Sequence, residues 1–284
     1  MIDVRGLVFA YPGADTPAVN DLSFSVQGQE IFGFLGPNGA GKSTTQKVLT
    51  GLLRDHGGQV HVLEREISDW GSELYEQVGV GFELPVHFGR LTARENLNYF
   101  ASLYRGETQD IDHLLDEVDL RKQADVRVER FSKGMRVRLS FARAVLCRPR
   151  LLFLDEPTTG LDPLSARRIK DLILEQRDRG ATVFLTTHDM AIADELCDRV
   201  AFLVDGQIAL IDAPRELKVR YGERRVRVEY RINETLEVRD FPLEGLVENA
   251  AFLAALGEPS LETVHTLETS LENIFIRVTG RELL

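Results

Sequence analysis

Residues Gly36-Pro37-Asn38-Gly39-Ala40-Gly41-Lys42-Ser43-Thr44 fit the pattern G-x-x-x-x-G-K-[ST]. These residue types point to phosphate. Glycines let successive backbone N–H groups turn inward around phosphate oxygens, since they lack the Cβ that forbids the required backbone angles. Lys42 supplies a full positive charge to the β- and γ-phosphates of a nucleotide, and the Ser43 hydroxyl is a ligand for Mg²⁺. A short apolar strand, Ile31 to Leu35, runs into the loop, and a helix with Val48, Leu49 and Leu52 on one side follows it. The helix start adds positive potential where the phosphates sit. The alternative is a glycine-rich turn with an incidental lysine; the strand–loop–helix context favours phosphate binding.

Three further places suit the same chemistry. Asp155 and Glu156 close the apolar run Leu151-Leu152-Phe153-Leu154. Carboxylates at the C-terminal end of a buried strand face the phosphate loop in folds of this kind. Asp155 then suits Mg²⁺ through water, and Glu156 suits a general base or a group that orients water. His188 follows the strand Thr182 to Thr187, where a ring nitrogen can donate to a γ-phosphate. Phe131-Ser132-Lys133-Gly134-Met135 precedes a helix with Val137, Phe141, Ala144 and Val145 on one side. Ser132 and the Gly134 backbone at that helix start can form a second phosphate cradle, although a serine cap is common and is the default reading of this pattern alone. If it is a cradle, it is spare, which implies that a second subunit provides the matching half.

Strands and helices around these residues follow from the apolar pattern. Leu7, Phe9 and Tyr11, and then Leu22, Phe24 and Val26, alternate with their neighbours as antiparallel strands do. The segment from about 84 to 146 reads as mostly helical. Thr92-x-x-Glu95 opens one of its helices, with Leu97, Phe100 and Leu103 on a face, and His113 to Val118 forms another. Asp162 and Pro163 open a helix that Gly180 closes, and Asp205-Gly206 turns a hairpin between Val200–Val204 and Ile208–Ile211. Strands alternating with helices predict a parallel α/β core. Beyond Tyr221 the pattern changes. Val226, Val228, Tyr230 and Ile232 form a half-exposed strand; Leu236 and Val238 continue after a turn at Asn233-Glu234; Leu246 to Leu256 is helical. Thr269-x-x-Glu272 caps a last helix carrying Leu271, Ile274, Phe275 and Val278.

Composition narrows the partners. A net charge of −11 argues against nucleic acid, whose phosphates need clustered Lys and Arg. Cys147 and Cys197 belong to no CxxC or Cys/His cluster and read as buried thiols in a reducing compartment. The first residues show no charged leader followed by an apolar run, and no stretch is long and apolar enough to span a bilayer, so a membrane role is expected to come through a partner.

Taken in order, these motifs resemble the nucleotide-binding subunits of ABC (ATP-binding cassette) transporters over residues 1 to about 215. Gly36–Thr44 resembles the Walker A motif and Leu151–Glu156 the Walker B motif with its catalytic glutamate. Ser132-Lys133-Gly134-Met135 is similar to the LSGGQ signature, with Lys133 in place of the first glycine of its pair and Met135 in place of the glutamine. Gly160-Leu161-Asp162 resembles the D-loop, His188 the switch histidine, and Tyr11 the aromatic that stacks on adenine; packing in the core is the other reading of Tyr11. Where the family usually has a glutamine after the strand that follows Walker A, this chain has Glu83, an oxygen ligand for the metal with an added negative charge. The stretch Ser270 to Glu282 is similar to the tail of exporter-type ATPases whose membrane subunit is a separate chain.

The resemblance implies a P-loop NTPase fold: a RecA-like parallel sheet, an antiparallel β subdomain, the helical insert at about 84–146, and an α+β accessory domain at 220–284 after an ATPase domain at 1–219. It implies ATP and Mg²⁺ as cofactors, with Ser43, Glu83 and Asp155 at the metal and Glu156 and His188 in catalysis. Two copies, or one copy and a close homologue, enclose two ATP molecules, each between Gly36–Thr44 of one subunit and Ser132–Met135 of the other, with Asp162 lining the interface. The segment from about 83 to 96 receives a helix from integral membrane subunits. The chain is thus expected on the cytoplasmic face of the membrane, powering export of a drug, antibiotic, lipid or polysaccharide. The alternatives are a soluble ABC ATPase that does not transport, which in ribosome-acting and DNA-repair members carries two cassettes or a long coiled coil, and a plain P-loop kinase or GTPase, which leaves Ser132–Met135 and His188 unexplained.

Overall fold

The computed structural model describes residues 1–82, 86–232, 235–267 and 269–281. The chain divides into two compact units, of which Met1–Asp212 makes the body of the first and Ala213–Glu282 the second. The first unit holds strands β1 (Ile2–Phe9), β2 (Val19–Val26), β3 (Ile31–Leu35), β4 (Gly57–Val62), β5 (Arg65–Glu66), β6 (Val78–Gly81), β7 (Leu151–Asp155), β8 (Thr182–Thr187), β9 (Arg199–Val204) and β10 (Gln207–Asp212). Its helices are α1 (Lys42–Leu49), α2 (Ala93–Ala101), α3 (Ile111–Glu117), α4 (Lys133–Val145), α5 (Pro163–Asp178) and α6 (Met190–Leu196).

Among the described residues, two sheets make the core of this unit. One runs β2-β1-β4-β5 and is antiparallel; the other runs β10-β9-β3-β8-β7-β6. Strands β9, β3, β8, β7 and β6 are parallel, and β10 returns as an antiparallel edge. The parallel strands β3, β7 and β8 are buried along their whole length, which explains their unbroken apolar runs. The two sheets bury a common core in which Phe24, Phe32, Phe34, Phe153 and Phe184 pack ring to ring, with centroids 5.3–6.2 Å apart. Helices α2, α3 and α4 lie between β6 and β7 in the chain, as the helical insert requires. The hairpin turn at Asp205-Gly206 takes φ of +48° and +76°, the left-handed pair that matches strand twist.

The second unit contains α7 (Pro214–Tyr221), β11 (Arg225–Ile232), β12 (Thr235–Pro242), α8 (Ala250–Leu256), β13 (Leu261–Leu267) and α9 (Leu271–Thr279). Its sheet is antiparallel, in the order β12-β11-β13, and Val226, Val228 and Tyr230 bury one face with Phe241, Phe252 and Ala255. Helix α7 packs against α9 and so belongs to this unit, whereas the expected domains meet at 219/220.

Several local expectations differ from what is observed. Helix α1 ends before Leu52, because Thr50 caps it and Gly51 turns at φ +71°; Leu52 is 52% exposed rather than on a buried face. Leu103 lies past the end of α2 and is exposed as well. Leu246 to Leu256 is not one helix: Asn249 interrupts it and restarts α8 by accepting from Ala251 N and Phe252 N. The cap of α9 is Ser270, whose Oγ accepts from Asn273 N, while the Thr269 hydroxyl is committed to the Glu223 backbone. The turn expected at Asn233-Glu234 lies outside the described residues. Cys197 is buried and Cys147 half-buried, and neither forms a disulfide.

Candidate active site

Strands β3 and β7 flank β8, and all three run parallel. Their C-terminal ends therefore point the same way, and residues far apart in sequence meet there: the loop after β3, Asp155 and Glu156 at the end of β7, and His188 just past β8. The loop's backbone is built for glycine at the positions that matter. A Cβ on Gly36 would come within 2.2 Å of Leu203 O, and one on Gly41 within 2.5 Å of Ala18 O. Gly39 and Gly41 also take φ of +82° and +103°.

Together these segments enclose a cavity of about 450 Å³ lined by Tyr11, Asn38, Gly39, Gly41, Lys42, Ser43, Thr44, Asp155, Glu156 and His188 among the predicted residues, and by Ala18 and Thr159, which were not predicted. Lys42 is buried, and its Nζ donates to Gly36 O (2.7 Å) and Pro37 O (3.1 Å), so the ammonium sits inside the turn of its own loop, with Ala40 buried beside it. Ser43 Oγ donates to Asp155 Oδ1 at 3.3 Å, and the Thr186 hydroxyl donates to the same oxygen. Tyr11 is 40% exposed; its hydroxyl lies 3.2 Å from Thr44 Oγ1 and its ring meets buried Phe9 edge-on at 5.1 Å.

Glu156 has a left-handed backbone, φ +47°, costly for a residue with a Cβ. Its N–H donates to Thr186 O at 2.9 Å, and its buried carboxylate accepts from His188 N (2.9 Å) and His188 Nδ1 (2.7 Å). A carboxylate only accepts, so the ring hydrogen is on Nδ1 and Nε2 is the ring's other polar atom.

Ser132, Lys133, Gly134, Met135 and Asp162 do not line this cavity. They form a second group. Ser132 Oγ accepts from Met135 N (3.2 Å) and caps α4; Asp162 Oδ1 accepts from Leu164 N (3.1 Å) and Ser165 N (3.0 Å) and caps α5. The Ser165 hydroxyl, with these backbone N–H groups, holds the Asp162 carboxyl below the usual carboxylate range. The two helix starts nearly touch, since a Cβ on Gly134 would come within 2.8 Å of Ser165 Oγ. Glu83 lies outside the described residues. Nothing in the sequence pattern flagged Thr159 beyond its place in the run Pro157-Thr158-Thr159-Gly160.

A separate groove of about 540 Å³ in the same unit is apolar; Leu52, Tyr75, Phe82, Val86, Phe88 and Phe100 are among its lining. Phe82 and Phe88 are exposed, and Val86 is 77% exposed. His87 and Arg143 sit within it, and burial pushes both below their ordinary ranges.

Comparison with known proteins agrees with this geometry. Residues 19–159 match the family model described as ABC transporter, and 224–268 match the one described as fluoroquinolone efflux ABC transporter C-terminal domain. The chain is 56% identical to a fluoroquinolones export ATP-binding protein of Mycobacterium tuberculosis over 284 residues, covering 100% of this chain and 94% of that one. It is 33% identical to Nod factor export ATP-binding protein I of Neorhizobium galegae over 317 residues, 99% of this chain and 86% of that one. A solved ATP-binding subunit of an ABC transporter superposes with a TM-score of 0.70 at 29% identity, covering 78% of this chain and 93% of that one. A dimeric ATP-binding cassette bound to ADP and Pi gives 0.68 at 23% identity, covering 75% and 98%, a likeness of fold. The chain belongs to the ATP-binding subunits of ABC transporters, and is an ATPase.

Proposed function

We propose that this chain clamps two ATP molecules against a second copy, or a close homologue, and so drives export through separate membrane subunits. The observation that carries this reading is the separation of the two groups. Gly36–Thr44, Asp155, Glu156 and His188 surround one cavity, whereas Ser132–Met135 and Asp162 lie outside it. One chain thus owns two half-sites, and a head-to-tail pair makes two whole ones. ATP closes the pair through its γ-phosphate, and hydrolysis releases it. Lys42 and the loop N–H groups hold the phosphates, Tyr11 stacks on the base, and Glu156 takes a proton from the attacking water. His188 reaches the γ-phosphate through Nε2, which requires a second ring proton or release of Glu156.

The donor set near the phosphates suits Mg²⁺. Ser43 Oγ and Asp155 are hard oxygen donors, and no group of three His, Cys, Asp or Glu among the described residues forms a closed protein cage. With Glu83 they would hold the ion, which supplies charge neutralisation at the β- and γ-phosphates.

The apolar groove is the seat for a helix of the membrane subunit. Among the described residues no helix is long and apolar enough to cross a membrane. On this reading the groove is where the chain meets its membrane subunit at the cytoplasmic face. Phe88→Asp is expected to weaken association with the membrane subunit by roughly 2 kcal/mol or more, as loss of an aromatic anchor does. Intrinsic ATPase activity is expected to stay, since Phe88 does not line the cavity that holds Lys42 and Glu156. Co-purification in detergent measures it, and undiminished association would move the docking surface elsewhere. Tyr11→Ala is expected to weaken ATP binding by roughly 1–3 kcal/mol, the range for a base stacked on an aromatic. Unchanged affinity in a titration would leave Tyr11 its packing on Phe9 and its hydroxyl contact with Thr44 as a structural role.

The relatives' names support export, and the match at 224–268 supports a fluoroquinolone-type drug as the first substrate to test. Expressed with its membrane subunit in a host stripped of efflux pumps, the chain should lower fluoroquinolone accumulation, and Glu156→Gln should abolish the effect. Equal accumulation with and without the pair would remove this drug from the reading.

A further inference from the structure

Four donors converge on the Glu156 carboxylate. Thr159 Oγ1 and Thr187 Oγ1 both donate to Oε2, each at 2.9 Å, while His188 N (2.9 Å) and Nδ1 (2.7 Å) both donate to Oε1. Three of the four come from the end of β8 and the residue after it. Thr159 is different: it comes from the turn that joins β7 to α5.

That turn is tightly made. Thr159 N donates to Glu156 O and Leu161 N to Thr158 O, each at 3.2 Å, and Asp162 then caps α5. Its next residue, Gly160, takes φ +67°, and a Cβ there would stand 2.1 Å from Lys133 Nζ. The Lys133 side chain therefore lies over the turn. One end of this short segment is bonded to the catalytic carboxylate, and the other is covered by the first residue of α4.

We propose that Thr159 is a positioning residue for ATP hydrolysis. Its hydroxyl fixes Oε2 of Glu156, leaving Oε1, the oxygen shared with His188, as the one that faces water once the histidine turns to phosphate. The proton of the attacking water then passes to Oε1. The water oxygen bonds to the γ-phosphorus, and the bond from that phosphorus to the bridging oxygen breaks to leave ADP. Because Thr159 sits in the turn under Lys133, the setting of the base depends on the segment that carries the neighbouring half-site. A base held by a third group is the usual logic of proton-transfer sites. The inference rests on the reading of Glu156 as the base.

The test is steady-state ATPase kinetics of Thr159→Val and Thr159→Ser. The valine variant removes the hydroxyl at nearly constant shape, and should lower kcat about tenfold, the scale of one hydrogen bond to a charged group. KM for ATP should stay within about twofold, because the bond is to the base and not to nucleotide. Serine restores the hydroxyl and should restore kcat. Thr159→Ala should repeat the valine result, which guards against misfolding caused by the added methyl. The proposal is overturned if the valine and alanine variants keep wild-type kcat, if serine falls as far as valine, or if KM rises in step with the loss. Glu156→Gln separates the two claims. Turnover in that variant would remove the base itself, whereas an inactive glutamine variant beside a fully active valine variant would remove only Thr159.

Discussion

Glu156→Gln is expected to lower ATP turnover by about 10²–10⁴-fold, the span of general-base catalysis, with ATP affinity unchanged. The hydrogen bonds explain why the variant should remain folded. Oε2 meets two hydroxyls, Thr159 and Thr187, whereas Oε1 meets a backbone N–H and a ring N–H of His188. A glutamine amide nitrogen fits only against the hydroxyls, which can rotate to accept. The amide oxygen then keeps both His188 contacts, and the cost falls on the two hydroxyls, whose own O–H groups lose Oε2 as acceptor. What is lost is a basic oxygen. Single-turnover kinetics beside a nucleotide titration separate the two effects; wild-type turnover would return Glu156 to a structural role.

Lys42→Ala is expected to weaken ATP binding by roughly 1.5–3 kcal/mol, or about 10- to 150-fold, the worth of hydrogen bonds to a charged group. Lys42 is 6% exposed, so its charge is held inside the loop, at the wall of the cavity proposed to take the phosphates. Without it, Gly36 O and Pro37 O lose their donor and the loop's positive charge disappears. Backbone N–H groups and the start of α1 remain, which is why some affinity survives. Equilibrium titration with a fluorescent ATP analogue measures the change. Wild-type affinity would mean that the phosphates bind elsewhere.

Much of this site was legible because its parts are local. The loop 36–44 declares itself by composition, and Asp155 and Glu156 by ending a run buried on both faces. Parallel strands bring their C-terminal ends together, so the convergence of Lys42, Asp155, Glu156 and His188 followed from the α/β pattern. The helix caps at Thr92, Ser132 and Asp162 were also readable, since each is a side chain bonding to its own helix.

What escaped the sequence depends on contacts between distant segments or on backbone geometry. Thr159 meets Glu156 because that residue turns at φ +47°, which no pattern announces. Strand β13 is mostly exposed on both faces, so it shows no alternation, and it exists through pairing with β11. Leu52 looked like part of a buried helical face; instead the helix stops short and Leu52 lines the apolar groove. The one-residue error at α9 has a similar cause, because Thr269 and Ser270 are both competent caps and only the Glu223 backbone decides between them.

If a single chain holds two halves of different nucleotide sites, ATP must bring two chains together. Light scattering of the Glu156→Gln chain, with and without Mg²⁺-ATP, reads that pairing. Slowed hydrolysis should trap the closed pair, so the mass should double when ATP is added and fall back when ATP is removed. A chain that stays monomeric at saturating ATP, alone and together with its membrane subunit, would contradict the account.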